Sequence, residues 1–311
     1  MTKKVLIDCD VGVDDALALI LAFHSPELEV LAVTGVNGNV SLDRVMINIR
    51  RVLSLLRPSS PPWVSAGAEK PLGGKPLSAE TLHGQDGVGG AGIQALGEER
   101  WWREFPGPAD ELLPRLARRY PQEVTLIAVG PLTNPALAWR RDPDGMKAFK
   151  EVVIMGGAVR AGGNVTPHAE FNFYVDPPAA KIVFESGLPI TLVPLDITRR
   201  VALTPGLLEA RVRPIRNPSS RFVIEATGYD PGTGKFRGGR DEFYLHDPLA
   251  VGAVINPGLV RRESLSLSVE VAEGEYYGRS QETARGEKTV DVCLEVDRAG
   301  FLDLFLSRLE D

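Results

Sequence analysis

The stretch Lys4-Val-Leu-Ile-Asp-Cys-Asp-Val-Gly-Val-Asp-Asp-Ala16 carries an apolar run followed by four closely spaced carboxylates, those of Asp8, Asp10, Asp14 and Asp15. The apolar run predicts a buried parallel strand, and the sequence from Ala16 to Phe23 predicts a buried helix. The carboxylates therefore lie on a strand-to-helix turn, at the carboxyl end of the first strand. Open α/β sheets bind their ligands at this end.

Carboxylates this close together repel one another unless a cation neutralises them. Oxygen ligands alone indicate a hard cation, Ca²⁺ or Mg²⁺. Helix capping is a simpler interpretation, because acidic side chains bind the free N–H groups of a first turn. Capping accounts for Asp14 and Asp15 but not for Asp8 and Asp10, which end an apolar strand. An EF-hand loop is excluded, since its last ligand position would be Leu19 rather than a glutamate.

The composition is typical of a globular protein that binds neither nucleic acid nor membrane. The 311 residues carry a net charge of -6, the hydrophobic fraction is 43% and the mean hydropathy is -0.05. A negative net charge argues against nucleic acid as a partner, and no apolar run is long enough for a transmembrane helix. The chain starts directly with a strand rather than a signal peptide, and Cys9 and Cys293 are interpreted as unpaired thiols. We therefore expect a cytoplasmic location.

Strand-like and helix-like segments alternate along the first two-thirds of the chain. This alternation predicts βαβ units, and hence an α/β fold with an open, mostly parallel, Rossmann-like sheet and helices on both faces. The strand candidates are Val5–Asp8, Glu29–Thr34, Val64–Ala66, Val124–Val129, Val152–Met155 and Ile190–Pro194. The helix candidates are Asp14–His24, Leu42–Leu56, Ala109–Arg119, Asn134–Arg141 and Pro178–Ser186.

The C-terminal third is expected to be mainly helical, over residues 199–250 and again at Phe301–Leu309. Between these segments, alternating apolar positions over residues 261–296 predict a small antiparallel appendage on the sheet. No linker or repeat divides the chain, so we expect a single domain over residues 1–311. Two glycine-rich stretches, 67–95 and 228–245, are long enough to be lids over a site.

A second polar cluster, Gly163–Pro177, follows the predicted strand that ends at Met155. Asn164, Glu170 and Asn172 spread hydrogen-bonding groups through this loop. Ordinary turn chemistry accounts for an asparagine here, but poorly for a Glu-Phe-Asn run with aromatic neighbours. The cluster is therefore a candidate for ligand binding.

A third cluster, Leu245-His-Asp-Pro-Leu249, opens a predicted apolar helix. Asp247 alone could cap that helix, and a lone histidine is more often structural than catalytic. An adjacent His246-Asp247 pair, in a chain with only four histidines, favours a functional site. His83, in the first glycine-rich stretch, is a candidate lid or substrate contact.

The ordered set of motifs resembles that of the inosine–uridine-preferring nucleoside hydrolases. Asp8-Cys-Asp-Val-Gly-Val-Asp-Asp15 is similar to the family signature DxDxGxDD. The further motifs follow in the family's order: Gly38-Asn39, Gly130-Pro-Leu-Thr-Asn134, Asn164 with Glu170-Phe-Asn172, Asp176-Pro177 and His246-Asp247. The resemblance covers nearly the whole chain. It implies an N-ribohydrolase that acts on small nucleosides and holds a tightly bound Ca²⁺.

The resemblance also implies a role for each site residue. Three carboxylates and one backbone carbonyl would bind the ion, those of Asp10, Asp15, Asp247 and Val129. Ribose hydroxyls would be bound by Asp14, Asn39 and Asn172, and the 5′-hydroxyl by Asn164 and Glu170. Asp8 would orient the acidic loop from behind the ligands.

Cleavage of an N-glycosidic bond builds positive charge on the ribosyl ring, as in other glycoside hydrolysis. In the implied mechanism Asp10 takes a proton from water as general base, and His246 protonates the leaving base. A histidine at position 246 resembles the nonspecific or pyrimidine-accepting members of the family. Tyr229 and Arg237, in the second glycine-rich stretch, are candidate base contacts. The family also implies a homodimer or homotetramer.

Two other interpretations use the same acidic turn. A Mg²⁺-dependent phosphatase of the haloacid dehalogenase type would use Asp8 as nucleophile and Asp10 as acid and base, but it leaves the second and third clusters without a role. A Ca²⁺-dependent nucleoside or ribose binder without turnover would need the same ligands. The presence of both Asp10 and His246 favours the hydrolase over this binder.

Overall fold

The computed structural model describes residues 2–74, 77–79, 83–92, 99–284 and 289–310. The strands in this part of the chain are β1 Lys3–Cys9, β2 Leu28–Gly35, β3 Trp63–Ala66, β4 Arg103–Glu104, β5 Val124–Ala128, β6 Glu151–Met155, β7 Ile190–Val193, β8 Ala202–Leu203, β9 Tyr229–Asp230, β10 Lys235–Phe236, β11 Phe243–Tyr244, β12 Val260–Leu265, β13 Leu267–Val269, β14 Ser280–Glu282 and β15 Val290–Val296.

The α-helices are α1 Val13–Phe23, α2 Leu42–Leu56, α3 Ala109–Arg119, α4 Thr133–Arg141, α5 Pro143–Met146, α6 Phe171–Val175, α7 Pro177–Phe184, α8 Leu195–Thr198, α9 Pro205–Leu207, α10 Pro218–Thr227, α11 His246–Ile255 and α12 Arg298–Ser307. A π-helical turn spans Leu208–Val212, and two 3₁₀ turns span Arg237–Gly239 and Pro257–Leu259. None of the helices in the described ranges is both long enough and apolar enough to cross a bilayer.

Nine of the strands form one sheet, in the order β12-β15-β7-β6-β5-β1-β2-β3-β4. Neighbouring strands run parallel throughout, except for the antiparallel pair β12 and β15. From β1 the chain first builds the sheet outwards through β2, and it later returns to the other side of β1 with β5. This reversal of direction opens a crevice at the carboxyl ends of β1 and β5.

The core lies on both faces of the sheet, as the sequence of β1 dictates. Side chains alternate along a strand, so Val5 and Ile7 pack in one apolar layer while Leu6 packs in the other. Helices α1 and α11 cover the first face, and α3, α4 and α7 cover the second. The central strands are therefore buried on both faces, as parallel sheets require.

The expected α/β class is confirmed, and so are the strands and helices expected in the first two-thirds of the chain. Helices α2 and α3 have the expected bounds, and the other elements differ by at most two residues at either end. The C-terminal helix starts earlier than expected, at Arg298, because the side chain of Asp297 caps it by accepting a 3.0 Å hydrogen bond from the N–H of Gly300.

The expected helical character of the C-terminal third is only partly present. Short strands β8–β11 interrupt residues 199–250. Strand β15 pairs in parallel with β7, so much of the expected appendage belongs to the main sheet. Pairing with β15 satisfies backbone groups that β7 would otherwise leave open at an edge. Of the described strands of the expected appendage, β13 and β14 stay outside the main sheet and form a two-stranded sheet of their own.

Candidate active site

A cavity of about 740 Å³ lies at the carboxyl ends of the central strands. Its wall combines acidic, amide, imidazole and apolar side chains, namely Asp14, Asn39, Ala79, His83, Val129, Met155, Asn164, Val165, Glu170, Phe171, Asn172, Arg240, Asp241, Glu242, Phe243, Tyr244, His246 and Asp247. All three polar clusters of the sequence therefore meet at one cavity. Such convergence of polar groups in an apolar recess is typical of an active site.

Carboxylate oxygens of Asp14, Asp15 and Asp247 lie within 4.8 Å of one another. Asp15 is fully buried, and it accepts hydrogen bonds from the main-chain N–H groups of Asp10 (3.1 Å) and Gly12 (2.8 Å). These bonds hold the turn between β1 and α1 closed around the acidic side chains. Asp247 reaches the group from the first turn of α11.

Asp10 is fully buried beside this group. Its Oδ2 accepts a 2.7 Å hydrogen bond from the N–H of Asn39, whereas its Oδ1 has no hydrogen-bond partner. Glycines enclose the carboxylate closely, because a Cβ added at Gly38 would lie 2.0 Å from Oδ2, and one added at Gly130 would lie 3.1 Å from Oδ1. The two glycines therefore permit the loops after β2 and β5 to close over Asp10.

The cluster is electrostatically strained without a cation. Burial and the neighbouring carboxylates raise the pKa of Asp10 and of Asp247 well above the usual range. The same two causes raise the pKa of Asp15 to about 7. Buried oxygens without partners, Oδ1 of Asp10 and Oδ1 of Asp14, complete a donor set suited to a hard divalent cation. The residues present thus fit the metal site that the sequence predicted.

Asp8 lies behind the cluster rather than at the cavity. Its Oδ1 accepts hydrogen bonds from the hydroxyl of Thr34 at 2.5 Å and from the side-chain amide of Asn134 at 2.8 Å. Asn134 also donates to the carbonyl of Gly35 at 3.0 Å. Burial raises the pKa of Asp8 to about 7. Asp8 therefore joins β1 to β2 and to the first turn of α4, which agrees with an orienting role.

Glu170 and Asn172 form a wall of the cavity opposite the acidic turn. The carboxylate of Glu170 caps α6 by accepting hydrogen bonds from the N–H groups of Asn172 (2.9 Å) and Phe173 (3.3 Å). Burial raises the pKa of Glu170 to about 7. The side-chain amide of Asn172 donates to the carbonyl of Val129 at 2.8 Å. Asn164 stabilises the same wall, because its Oδ1 accepts a 2.9 Å hydrogen bond from the N–H of Phe171.

The two histidines of the cavity differ in how they are held. Nδ1 of His83 accepts a 3.0 Å hydrogen bond from the N–H of Val13, and burial lowers the pKa of this histidine. Nδ1 of His246 lies 2.7 Å from the hydroxyl of Thr198, and burial lowers its pKa to about 4. Both rings are thus neutral at neutral pH. In each ring, Nε2 is the nitrogen left available to a ligand.

The structure does not bring Tyr229 and Arg237 to the cavity. The hydroxyl of Tyr229 donates to a carboxylate oxygen of Glu209 at 3.1 Å, and Arg237 donates to the carbonyls of Gly89 (2.9 Å) and Glu225 (3.0 Å). Arg237 therefore connects the first glycine-rich stretch to α10. Tyr229 is buried in the β9–β10 hairpin, whereas Arg237 is exposed at the start of the 3₁₀ turn that follows, and neither side chain lines the cavity.

Arg240 and Tyr244 line the cavity instead, and the sequence analysis missed them. The signal that could have found Tyr244 is its position two residues before His246, since alternate residues of an extended segment share a side. No comparable signal marks Arg240, which lies in an irregular stretch.

Parts of the first glycine-rich stretch, residues 75–76, 80–82 and 93–98, lie outside the described residues.

Comparison with known proteins identifies relatives along the whole chain. The family described as inosine-uridine preferring nucleoside hydrolase matches residues 5–303. The pyrimidine-specific ribonucleoside hydrolase RihA of Salmonella paratyphi B is 37% identical, and the match covers 100% of this chain and 99% of that protein. The plant nucleoside hydrolase PpNRh1 has a TM-score of 0.90 at 32% identity, covering 100% of this chain and 99% of that one. A purine-preferring ribonucleoside hydrolase from Gardnerella vaginalis has a TM-score of 0.88 at 28% identity, covering 99% and 98%.

Proposed function

This chain belongs to the inosine–uridine-preferring nucleoside hydrolase family and is a ribonucleoside hydrolase, and from that premise we propose that it uses Ca²⁺ to cleave the N-glycosidic bond of ribonucleosides. The products are the free base and ribose. The observation that carries the proposal is the buried carboxylate cluster at a cavity that is also lined by two neutral histidines and three side-chain amides.

The residues that would hold the cation are Asp10, Asp15, Asp247 and the backbone carbonyl of Val129. The unpartnered Oδ1 of Asp10 supports this set, as do the raised pKa values of the three carboxylates. The carbonyl of Val129 accepts one hydrogen bond, from Asn172, and retains a second lone pair. A bound cation would supply positive charge that acidifies water and binds hydroxyl oxygens.

Asp10 is proposed as the general base. The Oδ1 atom is free to receive a proton, whereas Oδ2 is held by the N–H of Asn39. The same hydrogen bond keeps the carboxylate from rotating away.

His246 is proposed to stabilise the leaving base. Its low pKa favours the neutral ring, and we assign the hydroxyl of Thr198, 2.7 Å away, as the donor to Nδ1, which places the ring hydrogen on Nε2. From there the imidazole donates to the departing base as negative charge develops on that base. His246 therefore acts from a preorganised, neutral state, which needs no prior protonation from solvent.

The ribose is proposed to lie between the acidic turn and α6. Asp14, Asn39 and Asn172 are assigned to the 2′- and 3′-hydroxyls, and Asn164 and Glu170 to the 5′-hydroxyl. All five line the cavity. Buried carboxylates and amides around the sugar stabilise the positive charge that develops on its ring in the transition state.

Pyrimidine nucleosides are the proposed preferred substrates. None of the described residues that line the cavity is a tryptophan. These residues therefore offer no indole ring that could stack on a purine base. Tyr244 and Phe243 supply aromatic surface near His246 instead. The relative whose name specifies pyrimidine nucleosides, at 37% identity, supports the same assignment.

Release of free base and reducing sugar from uridine, cytidine, inosine, adenosine and guanosine tests the proposal. The protein is assayed as purified, after chelation, and after Ca²⁺ or Mg²⁺ is restored. We expect chelation to abolish release, Ca²⁺ to restore it, and uridine and cytidine to react fastest. Metal-independent release, or none from any nucleoside, would overturn the mechanism. Light scattering tests the homodimer or homotetramer that the family resemblance implies.

The phosphatase interpretation has no support in the geometry. Its nucleophile would be Asp8, whose Oδ1 is held by hydrogen bonds from Thr34 and Asn134, and it leaves the Glu170–Asn172 wall and the His246–Asp247 pair of the same cavity without a role. A phosphoryl group in the cavity would meet the acidic cluster rather than this side chain.

A further inference from the structure

The β13–β14 hairpin lies outside the central sheet, yet its contacts converge on the segment that carries Glu170 and Asn172. The rings of Tyr277, in this hairpin, and Tyr174, in α6, pack edge to face with centroids 5.5 Å apart. At Gly278, where φ is +78°, an added Cβ would lie 2.8 Å from the Cα of Tyr174. The backbone of the hairpin therefore presses directly against α6.

A second contact runs through Ser280, the first residue of β14. Its side chain is buried, with only 2% of the residue exposed. The hydroxyl accepts a 2.9 Å hydrogen bond from the N–H of Ala158 and donates a 3.1 Å hydrogen bond to the carbonyl of the same residue. A single hydroxyl thus satisfies both backbone groups of Ala158, in place of a neighbouring strand.

The residue before Ala158 connects this contact to the site. The N–H of Gly157 donates a 2.8 Å hydrogen bond to Oε2 of Glu170. At Gly157, where φ is +71°, an added Cβ would lie 2.8 Å from Oγ of Ser280 and 3.0 Å from Cε2 of Phe173. Ser280 therefore approaches the loop as closely as a glycine permits, one residue from the Glu170 contact.

The far side of the same loop is held by α8. The N–H of Leu195 donates to the carbonyl of Gly157 at 3.0 Å. The carboxylate of Asp196 accepts hydrogen bonds from the next N–H groups, those of Val159 (2.9 Å), Arg160 (2.7 Å) and Ala161 (3.0 Å). The loop is thus fixed from two sides, and on the side of the hairpin Ser280 is a buried side-chain anchor beside the half-exposed ion pair of Arg160 with Glu282.

We propose that Ser280 is a positioning residue for the ribose 5′-hydroxyl, acting through Ala158 and the N–H of Gly157 on the carboxylate of Glu170. The inference rests on the proposed function, in which Glu170 binds the 5′-hydroxyl. It assigns a role in substrate recognition to a hairpin that contributes no residue to the cavity wall among the described residues.

A comparison of uridine with 5′-deoxyuridine isolates this role. In Ser280→Ala, kcat/KM for uridine should fall about 3- to 10-fold, as expected for one lost neutral hydrogen bond, while kcat/KM for 5′-deoxyuridine stays within about twofold. Ser268→Ala, on the partner strand of the same hairpin, is the matched control and should leave both values unchanged. Ser280→Thr, which keeps a hydroxyl, should recover part of the preference for uridine.

Each of the following results would overturn the proposal. Equal losses on both substrates in Ser280→Ala would indicate a general structural role, and no loss on either would indicate none. If Ser280→Ala does not fold, a preference for uridine that is higher in Ser280→Thr than in Ser280→Cys would support the proposal, whereas equal preferences in these two variants would overturn it. Wild-type protein that hydrolyses both substrates equally well would refute the positioning role alone. Wild-type protein that hydrolyses neither with Ca²⁺ present would refute the proposed function itself.

Discussion

Val13 and His83 are joined by a 3.0 Å hydrogen bond in which the main-chain N–H of Val13 donates to Nδ1 of His83. Because Nδ1 is the acceptor, the neutral ring carries its hydrogen on Nε2. Burial lowers the pKa of His83, which favours this neutral form. The first residue of α1 therefore sets the tautomer of a cavity histidine that comes from a different loop.

Gly12 makes this arrangement possible, and Gly12→Ala tests it. The added Cβ would lie 2.7 Å from Nδ2 of Asn39 and 2.8 Å from Nδ1 of His83, so it would displace both side chains. A misplacement of about 1 Å can cost about 10²-fold in rate, and we expect a loss of kcat/KM of that order. Gly206→Ala is the control, because the nearest atom to its Cβ is 4.0 Å away. Wild-type kinetics in Gly12→Ala would show that catalysis does not depend on the present positions of the Asn39 and His83 side chains.

Asp10→Asn separates turnover from binding. The amide keeps the size of the carboxylate but cannot take a proton, so kcat should fall about 10²- to 10⁴-fold. Binding of a nucleoside, measured by calorimetry with Ca²⁺ present, should persist at reduced affinity, because Asp15 and Asp247 remain. Asp110→Asn, at a surface ion pair with Arg141, is the control. Turnover at the wild-type rate would exclude Asp10 as the base.

His246→Gln should affect substrates according to how much help their leaving group needs. Uridine should lose about 10²- to 10³-fold in kcat/KM, the usual cost of removing one hydrogen-bond donor to a developing negative charge. A 4-nitrophenyl riboside, whose phenolate leaves without a proton, should retain most of its rate. Thr198→Val, which removes the partner of Nδ1, should show the same pattern more weakly. Equal losses on the two substrates would assign His246 to ribose binding instead.

Tyr244→Ala and Tyr229→Phe test which tyrosine contacts the base. Tyr244 lines the cavity and its ring centroid lies 5.5 Å from that of His246, so its removal should raise KM about tenfold, the effect of one stacking contact. The hydroxyl of Tyr229 binds Glu209 outside the cavity, so Tyr229→Phe should leave KM unchanged. An unchanged KM in Tyr244→Ala together with a raised KM in Tyr229→Phe would place the binding site of the base at the β9–β10 hairpin.

The chelated protein should become more stable as the pH falls from about 8 to about 5. Burial raises the pKa of Asp8, Asp15 and Glu170 to about 7, so between their ordinary values and this value the folded protein binds protons that the unfolded chain has released. His83 and His246, whose pKa values burial lowers, act in the opposite direction but are fewer. Thermal melts in chelator across this range measure the slope. Added Ca²⁺ should raise Tm most at the high end, where the carboxylates are ionised.

The parts of the fold that the sequence predicts well are those with local signals. Buried parallel strands are short apolar runs bounded by turns, and α2 and α3 carry strong amphipathic periodicity, so their bounds follow from the sequence. The parallel pairing of β15 with β7 has no such signal, because Asp291 meets Thr191 only through the tertiary fold. The acidic turn was predictable for the same local reason, since strand, carboxylates and helix are contiguous.

The second glycine-rich stretch shows where this reasoning fails. Arg237 and Arg240 lie three residues apart in an irregular segment, and Arg237 binds surface carbonyl groups while Arg240 lines the cavity. Without a helical or strand period, the direction of a side chain cannot be inferred from its position. The role of Ser280 was equally hidden, because it depends on a hydrogen bond to Ala158, far away in the chain.

The acidic cluster draws Asp14 and Asp15 from one end of the chain and Asp247 from the other. During folding, the β1–α1 turn forms from contiguous residues, whereas Asp247 arrives only when α11 packs against α1 and closes most of the chain into a loop. We therefore expect the like charges to meet late in folding, after much of the apolar surface is covered. A cation that relieves this repulsion is then expected to slow unfolding more than it speeds folding, and the two rates measured with and without Ca²⁺ test this.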